Sequence, residues 1–64
     1  MIPNDPVMLV SFLNLKLRDY YGSFDALCDD LELDKAEIEK KLDSIDYHYQ
    51  PEQNQFLEPF PYPL

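Results

Sequence analysis

Polar and apolar positions between Val7 and Tyr21 follow the 3.6-residue period of a helix. Asp5 and Pro6 before this run are typical of a helix start, because an aspartate can accept from free backbone amides and proline suits the first helical position. The polar residues of this helix form one narrow stripe: Ser11, Asn14 and Arg18. The main apolar side consists of Leu9, Leu13 and Leu17, and the apolar surface is widened by Met8, Phe12 and Leu15. A helix this apolar should be mostly buried. In so small a domain, we expect a second copy or another partner to provide part of that burial.

Two shorter helices are predicted to follow. Gly22 is expected to end the first helix in a left-handed conformation. Ser23 can cap a second helix, whose apolar residues recur at i, i+3, i+4 and i+7: Phe24, Leu27, Cys28 and Leu31. Asp34 with Glu37 resembles a capping box at the start of a third helix. Leu33 and Ile38 are placed to form a hydrophobic staple at the same helix start. The buried stripe of this third helix is predicted to be Ile38, Leu42 and Ile45.

After Ile45 the period changes from helical to two, which predicts a short β-hairpin. Tyr47 and Tyr49 share one face, residues 50–54 form the turn, and residues 55–57 pair back. The remainder has proline at every second position and can be neither helix nor central strand, so we expect an extended arm.

This order predicts a mainly α fold: a three-helix, helix-turn-helix-like domain with a short C-terminal β-hairpin, winged-helix-like in layout, and an extended Pro/aromatic tail. Residues 1–57 form the single small domain, and residues 58–64 form the arm. One departure is Glu32, which stands where many such motifs have a turn glycine. The layout predicts architecture more strongly than function.

Composition limits the partners and the chemistry. Thirteen acidic and five basic residues give a net charge of −8, which repels nucleic-acid phosphates and anionic membranes. No apolar run approaches a membrane span. The single cysteine, Cys28, excludes an intramolecular disulfide and fits a reduced, cytoplasmic setting.

No catalytic, cofactor-binding or metal-binding residue is predicted. One cysteine and one histidine cannot form a zinc set, and the acidic residues lack the spacing and the glycine of an EF-hand. Cys28 lies on the apolar face of its helix, so we expect it to pack as a small hydrophobic side chain rather than to form a catalytic pair with His48. The chain is therefore predicted not to be an enzyme.

The helix-turn-helix-like layout is typical of DNA-binding proteins, but the net negative charge of the chain disfavours DNA binding. A DNA-reading helix needs exposed Lys or Arg and a positive surface. The third helix offers lysines at 35, 40 and 41 among acidic residues, and the predicted wing has neither Lys nor Arg. A nucleic-acid-associated regulator, acting as an oligomer or with a partner, is the alternative function that we retain.

Several segments resemble short bacterial proteins grouped as a domain of unknown function, DUF4250. The similar segments are Pro3–Leu9, Lys16–Asp19, Leu27–Leu31 and Asn54–Phe56, within residues 1 to about 57. The resemblance implies a bacterial, cytoplasmic protein of this fold. It transfers no activity and no site.

The leading prediction is a small acidic module for protein–protein interaction, a homodimer through the first helix, bound to a protein partner not identified by the sequence. Its acidic side chains would suit a basic surface. The aromatic residues of the arm could pack on their own domain, exchange with a second copy or dock on a groove of another protein, and the alternative is a frayed terminus. The candidate interaction residues are Asp25, Asp29, Asp30, Glu32, Glu37, Phe60 and Tyr62.

Overall fold

The computed structural model describes residues 2–58, which form three helices followed by a two-stranded antiparallel hairpin. The elements are α1 (Pro6–Asp19), α2 (Phe24–Leu31), α3 (Lys35–Asp43), β1 (His48–Gln50) and β2 (Gln55–Leu57). The predicted mainly helical class with a C-terminal hairpin is confirmed. The predicted arm residues Phe60 and Tyr62 lie outside the described residues. The winged helix-turn-helix assignment stays a prediction.

The predicted helix caps are confirmed. The Asp5 carboxylate accepts from the Met8 amide at 3.1 Å, and the Ser23 hydroxyl accepts from the Ala26 amide at 3.1 Å. At the start of α3, the Asp34 carboxylate accepts from the backbone amides of the second and third helical residues. Each cap satisfies amides that have no partner within their own helix.

The prediction that Gly22 ends the first helix was wrong. α1 ends at Asp19, where the N–H groups of Tyr20 and Tyr21 both donate to the Lys16 carbonyl, and no described glycine has a positive φ. The left-handed residues are Glu32, Asp46 and Asn54. Glu32, at the C-cap of α2, therefore adopts the conformation that the turn glycine has in many helix-turn-helix motifs.

The core forms where one side of α1 meets the other two helices and the hairpin. α1 contributes Leu9, Val10, Leu13 and Leu17, and the other elements contribute Phe24, Leu27, Cys28, Ile38, Leu42 and Phe56. The rings of Phe24 and Phe56 lie edge to face with centroids 4.9 Å apart, and Tyr49 lies 5.4 Å from each of them. This aromatic cluster holds the hairpin against α2.

A substitution at Ile38 tests whether α3 packs against the core as described. It is 4% exposed, and Leu33 packs partly buried against the same core. Replacing Ile38 with alanine should destabilise the domain by about 2–4 kcal/mol, because it removes a buried side chain and leaves a cavity. Urea denaturation would measure this change, with Glu39→Ala on the exposed side of α3 as the control. A loss for Ile38→Ala below about half a kcal/mol, the value typical of exposed sites, would contradict the placement.

Candidate interaction surfaces

Much of the side of α1 that faces away from the core is apolar. Met8, Ser11, Phe12 and Leu15 follow one another at i, i+3, i+4 and i+7, and we call them the outer stripe. Met8 is 61% exposed, Leu15 is 45% exposed, Ser11 is exposed, and Phe12 is half-buried at the edge of the core. In the single chain α1 is thus not mostly buried, and the expectation that a second copy or another partner buries the rest stays a prediction.

Two further exposed side chains extend this surface along α1. Val7 precedes the stripe and is 60% exposed, and Tyr20 follows α1 and is 69% exposed. The Lys16 ammonium lies 5.5 Å from the centroid of the Phe12 ring and 4.8 Å from that of the Tyr20 ring. The apolar surface thus has a cation at one margin, held against aromatic rings.

The predicted acidic residues are all exposed, but they have different surroundings. Asp25 accepts from the Lys35 ammonium at 2.6 Å, whereas Asp29 lies one turn further along the same side of α2. Asp30 accepts a hydrogen bond from the Tyr21 hydroxyl, and this contact raises the pKa of Tyr21. Glu32 ends α2, and Glu37 lies in the first turn of α3.

Four of the five basic side chains make a contact within the described residues. The Arg18 guanidinium pairs with Asp19 at 3.0 Å, and Lys35 pairs with Asp25. The Lys41 ammonium donates to the Asn4 side chain at 3.1 Å, beside the start of α1. Two of the five Lys and Arg residues are thus paired with carboxylates, and Lys16 contacts rings.

Asn14 joins the hairpin to α1. Its side-chain amide donates to the Phe56 carbonyl at 3.1 Å, and its side-chain oxygen accepts from the Phe56 amide at 2.7 Å. Both backbone groups that Phe56 directs away from β1 are therefore satisfied by one side chain. Asn14 was predicted to lie in a polar stripe with Ser11 and Arg18; it is half-buried instead and covers the outer edge of β2.

Asn54 joins the hairpin turn to the last turn of α1 and to the α1–α2 connection. Its side-chain amide donates to the carbonyls of Leu17 at 3.0 Å and Tyr21 at 2.9 Å, so it caps the end of α1. Its side-chain oxygen accepts from the Tyr49 hydroxyl at 2.6 Å, and that hydroxyl oxygen accepts from the Phe24 amide at 3.2 Å. Asn54 itself has a φ of 54°, a conformation that asparagine tolerates better than most residues.

Cys28 and His48 lie in different environments. Cys28 is 6% exposed within the core, and burial raises the pKa of its thiol. His48 is exposed, with ring nitrogens 3.6 Å from Asp43 and 3.3 Å from Asp46. Over residues 2–58, no three side chains of the His, Cys, Asp or Glu type form a group that could hold a metal ion. No helix in this range has the length and apolar content to cross a bilayer.

The interactions of Asn14 and Asn54 were not predicted from the sequence. Both bridge residues far apart in the chain, and a single sequence carries no direct signal for such contacts. A weak signal does exist. Asn14 is a polar residue next to the buried side of α1, and Asn54 belongs to one of the segments on which the family resemblance rests.

Three helices with a hairpin fastened by two asparagine side chains define the class: a small, mainly helical domain with a C-terminal β-hairpin. A family model described as a domain of unknown function, DUF4250, matches residues 3–56, and the chain belongs to this family. The match includes all three helices and extends into β2. No curated protein and no solved structure matches the chain.

Proposed function

We propose that this protein is a non-catalytic interaction module that forms a homodimer through the outer stripe of α1. The observation that carries the proposal is the exposure of large apolar side chains on one helix, with Met8 at 61% and Leu15 at 45%. Scattered apolar residues are common on protein surfaces, but a continuous helical stripe is typical of a contact surface. Ser11, the small residue in the stripe, would let two helices approach closely.

Charge supports a second copy as the partner of this stripe. α1 carries two basic residues and one acidic residue, whereas α2 carries three acidic residues and no basic one. α3 has equal numbers of lysines and acidic residues. Among the helices of residues 2–58, α1 alone has a net positive charge, and the whole chain has a net charge of −8. Two copies that meet at α1 keep their most acidic surfaces away from each other, which lowers their mutual repulsion.

In such a dimer the acidic side chains of α2 remain available to a further partner. Asp29 and Glu32 are exposed, and no ion pair among the described residues involves them. These carboxylates would suit a partner with a basic surface. A cytoplasmic location belongs to the same proposal and rests on the single free thiol.

Charge placement favours a protein partner over a nucleic acid. The alternative regulator needs several basic side chains on one surface, free to contact phosphates. Arg18 and Lys35 are each held by a carboxylate, and Lys41 contacts Asn4 beside α1. A phosphate backbone would have to displace these intramolecular contacts.

Analytical ultracentrifugation tests the homodimer. We expect the wild type to shift from monomer to dimer with a dissociation constant of about 1–100 µM, since the stripe is small and standard interfaces are larger. Leu15→Glu should weaken the dimer at least about tenfold, because it places a charge in an apolar contact. Its effect on folding should be small because Leu15 is 45% exposed.

Ala26→Glu is the matched control, since it adds the same charge at an exposed position of α2. It should leave the dissociation constant within about threefold of the wild type, as expected for a charge added outside the contact. A wild-type protein that stays monomeric up to about 1 mM would contradict the proposal, because that limit corresponds to only about 4 kcal/mol of association free energy.

A further inference from the structure

Charged side chains lie at both ends of the outer stripe. Asp5 caps the N-terminal end of α1 and is exposed, and the Lys41 ammonium contacts the residue before it. At the other end, Lys16 and Arg18 lie in the last turn, and Asp19 is the last helical residue. The positions of these charges decide in which direction a second copy can lie along the stripe.

The apolar side chains of the outer stripe match a second copy that runs in the opposite direction. Each residue of a helix rises about 1.5 Å, so a two-fold axis between Ser11 and Phe12 brings Met8 of one antiparallel copy to the level of Leu15 of the other. The same axis brings Ser11 beside Ser11 and Phe12 beside Phe12. Met8 and Leu15, the two large exposed side chains of the stripe, would then each contact an apolar side chain of the other copy.

The same axis pairs opposite charges. Successive residues turn by about 100° around a helix, so Asp5 and Lys16 lie within about 20° of each other, on the margin of the stripe that includes Phe12. The Lys16 ammonium is held on this margin, 5.5 Å from the centroid of the Phe12 ring. In an antiparallel pair this margin lies along the same margin of the other copy, and Asp5 comes within about 3 Å of the level of the other copy's Lys16. Lys41 comes to about the level of the other copy's Asp19.

A parallel pair would instead bring like charges together. In a parallel pair each residue lies at the level of the same residue of the other copy, and opposite margins of the stripe meet. Lys16 and Arg18 lie on opposite margins, about 200° apart around the helix, so each Lys16 would face Arg18 of the other copy. Asp19, which pairs with Arg18, balances only one of these two positive charges. Aligned helix dipoles would add to the repulsion.

We propose that the two α1 helices of the dimer run antiparallel and that Asp5 of each copy pairs with Lys16 of the other. This proposal rests on the homodimer proposed above and specifies its contacts. The apolar contacts hold the two copies together, and the charges at the ends of the stripe select one direction for the second helix.

Disulfide formation between introduced cysteines tests the direction of the helices. Met8→Cys and Leu15→Cys are mixed in equal amounts and oxidised in a glutathione buffer, at a concentration at which the wild type is dimeric. The mixed disulfide should exceed either symmetrical disulfide at least about tenfold. In the antiparallel pair, two copies of the same position are about 10 Å apart along the helices, whereas a disulfide needs Cα atoms within about 7 Å of each other. The native Cys28 is buried, so the wild type serves as the blank.

Ser11→Cys is the matched control for this series. Ser11 lies beside the two-fold axis, so its symmetrical disulfide should form whether the helices run antiparallel or parallel. This variant therefore reports on the homodimer itself, and the mixture of the other two variants reports on its direction.

The charge of Lys16 provides a second test. Lys16→Gln should weaken the dimer about two- to tenfold in analytical ultracentrifugation, because each copy loses an ion pair with Asp5 of the other. Lys40→Gln removes the same charge from an exposed position of α3 and should change the dissociation constant less than about twofold. In a parallel dimer, Lys16→Gln would relieve repulsion and tighten the association.

The possible failures of the two proposals can be told apart. An excess of symmetrical disulfides in the mixture of Met8→Cys and Leu15→Cys would overturn the antiparallel arrangement, and so would a Lys16→Gln dimer tighter than the wild type. In both cases a symmetrical Ser11→Cys disulfide would uphold the homodimer. A wild type that stays monomeric up to about 1 mM, with no disulfide in any variant, would overturn the homodimer and the antiparallel arrangement together.

Discussion

Phe56→Ala should remove a large part of the domain's free energy of unfolding. Phe56 is 1% exposed and contacts the rings of Phe24 and Tyr49. Truncation of a buried phenylalanine costs about 3–5 kcal/mol, through lost transfer free energy and the cavity that remains. A domain of this length has a total stability of roughly 3–10 kcal/mol, so one residue accounts for much of it.

Circular dichroism during urea denaturation measures this effect. Gln55→Ala is the control, because Gln55 is the exposed neighbour of Phe56 in the same strand. We expect the control to lie within about half a kcal/mol of the wild type, as is usual for surface substitutions. A Phe56→Ala loss below about half a kcal/mol would mean that the hairpin does not pack on α1 and α2 as described, because such small losses are typical of exposed sites.

Local signals predicted the helices well. Asp5, Ser23 and Asp34 act within three residues of the amides that they cap, so each start can be seen in a short window of sequence. The buried stripes of α2 and α3 could be predicted for the same reason, because the spacing of their apolar residues is visible within a few helical turns. The change to a period of two after Ile45 likewise predicted the hairpin that the structure shows.

The end of α1 could not be predicted in the same way. Gly22 is the usual residue type for a helix terminus, and the sequence offered no competing signal nearby. The carbonyl of Leu17 is instead satisfied by Asn54, 37 residues away. A distant side chain that caps the helix removes the need for a left-handed glycine, and such a partner is visible only after the chain has folded.

The candidate interaction surface was predicted in part. The excess of apolar residues in the first helix indicated a surface that one small chain could not bury. It did not indicate which side stays exposed, because this depends on where the hairpin packs. Because Asn14 hydrogen-bonds to β2, the side of α1 next to the hairpin is the buried one. Met8 and Leu15 face away from the core and stay exposed. The acidic residues were correctly predicted to be exposed, since α2 has only one apolar side.

Asn54→Gly and Asn54→Ala should destabilise the domain by different amounts. Both remove the two bonds to the Leu17 and Tyr21 carbonyls and the bond from the Tyr49 hydroxyl. Each hydrogen bond contributes about 0.5–1.5 kcal/mol, so Asn54→Gly should lose about 2–4 kcal/mol. Asn54 has a φ of 54°, and alanine in this region suffers about 1–2 kcal/mol of additional strain that glycine avoids. Asn54→Ala should therefore be the less stable of the two.

Substituting Gln53 with glycine and with alanine separates the loss of the Asn54 hydrogen bonds from the strain of a left-handed backbone. Gln53 is exposed, lies in the same turn and does not have a positive φ, so glycine there should be no more stable than alanine. Denaturation of all four variants by urea gives both differences in one series. If Asn54→Ala equals Asn54→Gly, the left-handed turn is not formed. If both lose less than about half a kcal/mol, Asn54 does not cap α1, because the loss of even one half-buried hydrogen bond should exceed that value.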